Sequence, residues 1–294
     1  MTSPRAGGRD PWDGGRGTVR AAGQAGSRPE LLISSPTNPR IKGVAALRNR
    51  RDRDRTGSTR LEGREELELA LRAGVRPHTL FYCPELMARD GSAAAVVARV
   101  RASGAEVLEC TRGAFEKASY REGPDGFLAV APVPGVPLAD LDVAPGSLLL
   151  ICQGIEKPGN LGAMLRSADA AGVAAVIAAD PVTDWGNPNV IRASKGAVYS
   201  VPVAAAGTTA VLEWLSARGY VLVATTPDTE VLYSHADLTG SLAIAVGTEK
   251  YGLDREAFEA AALRVRIPMA GRVDSLNAAT AAAIVLFEAV RQRT

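Results

Sequence analysis

Between Leu242 and Arg293 the chain changes character three times in quick succession. A short apolar run, Leu242–Val246, breaks into the polar stretch Gly247–Gly252. A second run, Val265–Ile267, is stopped by Pro268 and passes into a Gly-containing loop, Met269–Asp274. Ser275, Leu276 and Asn277 then open an Ala-rich apolar helix predicted to run to Arg291. Two strand ends and a helix N-terminus carrying small and polar residues are the parts of an α/β binding crevice, where main-chain amides face a ligand. The expectation is a small-ligand site assembled from these three segments.

The same alternation runs upstream. Leu148–Cys152 is a continuous apolar run of the kind buried on both faces of a parallel sheet, and it leads through Gln153–Gly159 into a helix over Leu161–Ala171. Ala175–Ala178 and Tyr220–Ala224 read as strands, and Val190–Lys195 and Thr209–Arg218 as helices. Residues 147–294 are therefore expected to be a doubly wound parallel sheet of the α/β class. Residues 31–133 alternate on a smaller scale. A strand ends at Leu61–Gly63, and a helix over Arg64–Ala73 turns Leu67, Leu69, Ala70 and Leu71 inward. Strand Thr79–Tyr82, helix Gly91–Ser103, strand Glu106–Leu108, helix Thr111–Ser119 and strand Phe127–Ala131 complete a small α/β sandwich. The proline-rich stretch 134–146 is expected as a stiff linker, and the Gly-, Arg-, Ala- and Pro-rich residues 1–30 as a disordered tail.

Composition excludes several functions. Three cysteines, Cys83, Cys110 and Cys152, have no C-x-x-C spacing, which argues against a disulfide framework or a zinc site and for the reducing cytoplasm. With two histidines, His78 and His235, neither near a suggestive partner, no metal centre or Ser-His-Asp triad is expected. No run reaches the roughly 18 apolar residues of a membrane span. The net charge of +2 is nearly neutral, so affinity for nucleic acid would have to come from clustering. Such a cluster exists: Arg40 to Arg60 holds eight basic residues and two acidic ones. It reads equally as a solvated face or as a footprint for phosphate contacts, the latter through Arg48, Arg50 and Arg51. A helix entered through Ser35–Arg40 is predicted over Ile41–Arg48.

Neither loop of the larger half carries G-x-G-x-x-G or a P-loop, so a ligand would be held mainly by backbone at strand ends. The polar residues nearby, Asn160, Arg166, Glu249, Arg272, Ser275 and Asn277, include no good general base near neutral pH. They suit orientation and charge stabilisation. Taken singly, each also has a plain structural reading: Asn160 and Ser275 as helix caps, Arg166 as a surface cation, Asn277 as an early helix residue.

Together the three segments resemble the SpoU or TrmH (SPOUT) family of RNA ribose 2'-O-methyltransferases. Asn160–Asp169 is similar to the first family motif, Gly247–Leu253 to the second, and Ile267–Met269 with Ser275, Leu276 and Asn277 to the third, all in order. The resemblance spans Leu148 to the C-terminus, and the preceding sandwich resembles the ribosomal-protein L30e-like substrate-binding domain of many members. It implies a deep trefoil knot, a homodimer with its active site at the subunit contact, and S-adenosyl-L-methionine bound in the knot. By motif position Thr225, Gly247, Ile267 and Leu276 would contact the cofactor, and Arg166, Asn160, Glu249, Ser275 and Asn277 would surround the reacting ribose. The implied substrate is structured RNA, foremost 23S rRNA as in the antibiotic-resistance members, with tRNA as the enzymatic alternative. A rival of another class is a non-catalytic RNA-binding protein; the joint presence of Asn160, Arg166, Glu249 and Asn277 disfavours it.

Overall fold

The computed structural model describes residues 18–19, 31–89, 91–272 and 274–294. Apart from Thr18–Val19, the expected disordered tail over 1–30 lies outside the described residues. The chain divides into two units, Met1–Pro132 and Val133–Thr294.

The first unit is a six-stranded sheet. In chain order it runs β1 (Thr18–Val19), β2 (Leu31–Ile33), α1 (Pro39–Ala46), α2 (Arg50–Thr56), β3 (Ser58–Glu62), α3 (Arg64–Arg72), β4 (Thr79–Tyr82), α4 (Ser92–Ala102), β5 (Glu106–Cys110), α5 (Arg112–Ala118) and β6 (Phe127–Pro132). The strands lie in the order β1-β2-β5-β4-β6-β3, with β6 antiparallel to both its neighbours. Alternate residues Phe81, Cys83, Leu108, Cys110, Leu128 and Val130 face one side, where Ile41, Val44 and Phe115 of α1 and α5 cover them. α1 runs Pro39–Ala46 rather than the expected Ile41–Arg48, because Asn38 caps it ahead of Pro39, its Oδ1 accepting from Arg40 N at 2.9 Å. On α3, Leu67 and Ala70 are fully buried; Leu69 and Leu71 are only half-buried, and Glu66 is buried instead.

The basic run does not form one solvated face. Arg53 is buried, its Nη1 donating to the carbonyls of Leu47 at 3.0 Å and Arg48 at 2.8 Å, where α1 ends and leaves carbonyls without helical partners. Arg60 is buried on β3 and paired with Glu62 at 2.9 Å. Arg40 pairs with Glu106 and Arg55 with Asp52. Arg48 donates to Ser119 O at 2.6 Å. A charge count treats all these cations as surface; several are instead consumed as internal hydrogen-bond donors.

The second unit comprises β7 (Leu148–Gln153), α6 (Pro158–Ala170), β8 (Ala175–Ala179), α7 (Pro188–Ala193), β9 (Val203–Ala206), α8 (Thr208–Ala217), β10 (Val221–Thr225), β11 (Leu242–Val246), α9 (Arg255–Ala260), β12 (Leu263–Val265) and α10 (Ala278–Arg293). Its strands are parallel throughout, in the order β12-β10-β11-β7-β8-β9. α8 covers one face over Leu149, Ile151, Ile177 and Leu222. α6 packs with α7 and α10, and α10 against β11. The doubly wound sheet is thus present, with two elements the sequence reading omitted. β9 is an Ala-rich edge strand without β-propensity, and α9 is a short helix capped by Asp254, whose Oδ1 accepts from Ala257 N at 2.8 Å. α6 begins at Pro158 rather than Leu161, because proline at the first helical position needs no partner for its missing N–H. β12 ends at Val265, short of the expected Val265–Ile267 run.

The stretch 134–146, expected as a linker, packs in this unit. Val136 N donates to Val203 O at 3.0 Å, Leu141 is buried, and Ala144 O accepts from the Tyr220 hydroxyl at 3.1 Å.

Candidate active site

Parallel strands end at the same edge, so the loops after β7, β10, β11 and β12 emerge together. Those after β10, β11 and β12 enclose a cleft of about 480 Å³. Thr225, Gly247, Ile267 and Leu276 all line it, as do Glu249 and Ser275. One wall is a tight hairpin in which Thr248 and Gly252 exchange N–H to O bonds of 2.9 Å in both directions. Gly252 turns it with φ +67°. Gly247 is demanded by the hairpin itself: a Cβ there would lie 2.0 Å from Gly252 O and 2.3 Å from Leu253 N. To the ligand contact implied by its motif position the structure adds a close approach of backbone to backbone.

The hairpin is anchored from behind. Gln153, buried at the end of β7, accepts from Asp254 N at 2.9 Å and donates to Asp254 Oδ2 at 2.6 Å and Thr208 Oγ1 at 2.7 Å. Thr208 in turn donates to Asp180 Oδ2 at 2.6 Å. Every end of the amide is used, as a buried polar group requires.

At the mouth, Asn160 of α6, Glu249 of the hairpin and Asn277 before α10 form one cluster. Asn277 Nδ2 donates to Glu249 Oε1 at 2.8 Å and to Asn160 Oδ1 at 3.0 Å. Asn160 Nδ2 reaches the same Glu249 oxygen at 2.9 Å. Asn277 also caps α10, its Oδ1 accepting from Ala279 N at 2.9 Å. Lys157, not singled out from the sequence, closes the set by donating to Glu249 Oε2 at 2.6 Å. The hydrogen bond from Lys157, followed by that from Asn160, lowers the Glu249 pKa below the ordinary carboxylate range. Glu249 is therefore ionised at neutral pH with both oxygens engaged, the arrangement of a holding group rather than a base. Lys157 is the N-cap of α6, and nothing in the sequence joins it to a carboxylate 92 positions away.

The remaining candidates differ. Ser275 lies at the cleft without joining the cluster, and Arg272 is exposed. Arg166 is exposed on α6, roughly a third of a turn off the Asn160 face, with no hydrogen bond or ion pair to any described residue. Gly162, in the same helix, marks where α6 and α7 touch: a Cβ there would sit 2.5 Å from that of Ala193.

Comparison with known proteins places this geometry. Residues 147–287 match the SpoU rRNA Methylase family, and residues 38–129 the MRM3-like substrate binding domain. The 23S rRNA (guanosine(2553)-2'-O)-methyltransferase RlmP of Bacillus subtilis (strain 168) is 28% identical over 87% of this chain and 97% of its own length. The 23S rRNA (uridine(2479)-2'-O)-methyltransferase of Streptomyces viridochromogenes is 32% identical over 85% of this chain and 88% of its own. An AdoMet-bound rRNA methyltransferase from Sinorhizobium meliloti superposes with TM-score 0.82 at 33% identity, over 90% of this chain and 98% of that one. With its three motif segments gathered at one strand edge, the chain belongs to the SpoU rRNA methylase family.

Proposed function

We propose that this protein transfers a methyl group from S-adenosyl-L-methionine to a ribose 2'-hydroxyl of 23S rRNA. The observation that carries the reading is the Asn160–Glu249–Asn277 cluster at the mouth of the cleft lined by Thr225, Gly247, Ile267 and Leu276. The cleft suits the cofactor: its volume is that of a small-molecule site, and its walls offer main chain at strand ends. Thr225 Oγ1 is buried beside it with no hydrogen-bond partner among the described residues, an acceptor or donor left for a ligand. When bound, the sulfonium supplies a methyl group that is reactive on its own. The chain's work is to hold the ribose in line and to stabilise negative charge on its oxygen. Asn160 and Asn277, fixed by Glu249, orient the sugar. Ser275 lies within reach of the same cleft.

Arg166 is assigned to the 2'-oxygen, as a cation that stabilises the alkoxide while its proton passes to solvent, rather than as a base, because guanidinium stays protonated. It stands apart from the cluster of its own chain, which supports a homodimer that supplies it from a second copy. Phe287 of α10 is 48% exposed and shares a helical stripe with Thr280 and Ile284, while the opposite face of the helix is buried. Support for the trefoil knot comes from the segment after β10, which lies across the exit of β12: Arg266 N donates to Val231 O at 2.9 Å and Tyr233 N to Arg266 O at 3.0 Å. Among the described residues no helix is long and apolar enough to cross a membrane, and no cluster of metal-binding side chains is found. The proposed place of action is the cytoplasm, where ribosomal RNA is. Protection of the ribosome against an antibiotic, implied by the resistance members, belongs to the same proposal and is tested by drug susceptibility of cells with and without the protein.

The decisive experiment incubates purified protein and labelled S-adenosylmethionine with 23S rRNA and with tRNA, then maps ribose methylation. A single modified 23S nucleotide is expected. Methyl transfer to neither RNA, or to tRNA alone, overturns the assignment.

A further inference from the structure

The loop between α5 and β6 in the first unit is held far more firmly than a connection requires. Glu62, at the end of β3, accepts from Tyr120 N at 3.2 and 3.1 Å, from Arg121 N at 3.2 Å and from the Ser119 hydroxyl. Its carboxylate is paired at 2.9 Å with Arg60, whose side chain is wholly buried. On the other side Arg48 donates to the carbonyls of Ala118 at 3.4 Å and Ser119 at 2.6 Å. Burying an ion pair carries a large desolvation cost, so one that serves to fix a surface turn calls for a reason beyond linkage.

What the turn presents is Tyr120. The residue is 48% exposed, and the Arg48 guanidinium lies over its ring 5.2 Å from the centroid. Exposure alone would mean nothing, since single exposed aromatics are common. Here the backbone on both sides of the ring is tethered, one face is backed by a cation, and the cation is itself pinned. Such a ring loses little freedom when a second flat group stacks on it. Arg121, next in sequence, pairs with Asp125 at 3.7 Å, so the cation that faces the ring is Arg48. Unpaired RNA bases stack on aromatic rings and guanidinium planes, with cations nearby to meet the phosphates.

We propose that Tyr120, backed by Arg48, is a stacking platform for an unpaired nucleobase of the RNA substrate; this rests on the RNA reading above. It also reassigns Arg48, which the sequence suggested for phosphate contact, to supporting the ring.

The test uses the full chain and fragments of 23S rRNA, with Tyr120→Ala, Tyr120→Leu and Tyr120→Trp. Filter binding over a salt series reads RNA affinity, calorimetry reads cofactor affinity, and single-turnover transfer at saturating RNA reads chemistry. Ala and Leu are expected to weaken RNA binding roughly tenfold, the effect of losing one base–aromatic stack. Trp should stay within about twofold of the parent, since any π-face serves. The salt slope, cofactor affinity and saturated rate should not move, because no charge is altered. RNA binding by Tyr120→Ala at parental strength overturns the platform and leaves the methyltransferase reading standing. A parent chain that neither binds nor methylates RNA overturns both. Equal losses in Leu and Trp would show shape-specific packing against another surface and would also overturn it.

Discussion

Replacing Asn277 separates two tasks that one side chain performs. Its Oδ1 caps α10, while its Nδ2 donates to Glu249 and Asn160. Asn277→Ala removes both. Loss of the cap costs about 1 kcal/mol, which for a unit of this size corresponds to a fall in Tm of about 2–4 °C. Asn277→Asp keeps an oxygen for Ala279 N, so Tm at neutral pH should change less than with Ala. It also sets a carboxylate where a donor faced Glu249, at a separation of 2.8 Å in the parent. Like charges so close push one pKa upward, and the cluster should open. Both variants should therefore lose methyl transfer on the order of ten- to a hundredfold, the scale of a misplaced positioning group, with little change in cofactor affinity. Thermal denaturation followed by circular dichroism gives the first quantity, and single-turnover transfer at saturating RNA gives the second. Parental activity in Asn277→Asp would refute the argument and reduce Asn277 to a helix cap.

Gly247→Ala should force the hairpin to open, since the added carbon meets Gly252 O at 2.0 Å; overpacking of this kind costs about 1–3 kcal/mol. Calorimetry should show weakened S-adenosylmethionine binding, and unchanged affinity in a folded variant would remove the hairpin from the cofactor site. Arg166→Ala should fold, bind cofactor and lose turnover on the order of a hundredfold; a parental single-turnover rate would leave it a surface cation. Phe287→Glu should convert the proposed dimer to monomers in sedimentation velocity and abolish activity, whereas an unchanged dimer would exclude the α10 stripe as the contact. Glu288 is held down to about 2 by Arg291 and then Gln292. A depressed carboxylate contributes above its ordinary value near 4.5 and loses that contribution as pH falls towards 2. The Tm difference between parent and Glu288→Gln should therefore shrink through that window, and a constant difference would show that the charge is not responsible.

Much of the larger unit was legible because its strands are buried on both faces. Leu148–Cys152 and Leu242–Val246 read as continuous apolar runs and are central neighbours in the sheet. β9 was not legible: Val203 to Ala206 offers one β-branched residue, and its pairing with β8 comes from tertiary position rather than propensity. In the first unit the sequence announced positive charge without saying which cations turn inward. Arg53 and Arg60 are buried because a helix end and a buried carboxylate need donors, and neither need shows in spacing. The residues named by motif resemblance, Thr225, Gly247, Ile267 and Leu276, line one cleft, yet Lys157 escaped because its partner Glu249 lies 92 positions away.

That separation bears on the order of assembly. Asn160 and Asn277 are 117 positions apart, and each reaches the hairpin carboxylate from a different element. Closing such distant contacts is entropically slow and rewarded only once the intervening chain is in place. A folding intermediate with the sheet formed but α10 undocked would hold a cleft without its polar mouth. Competence for chemistry should thus appear in a single late event, lagging behind recovery of secondary structure when the denatured protein is returned to native conditions.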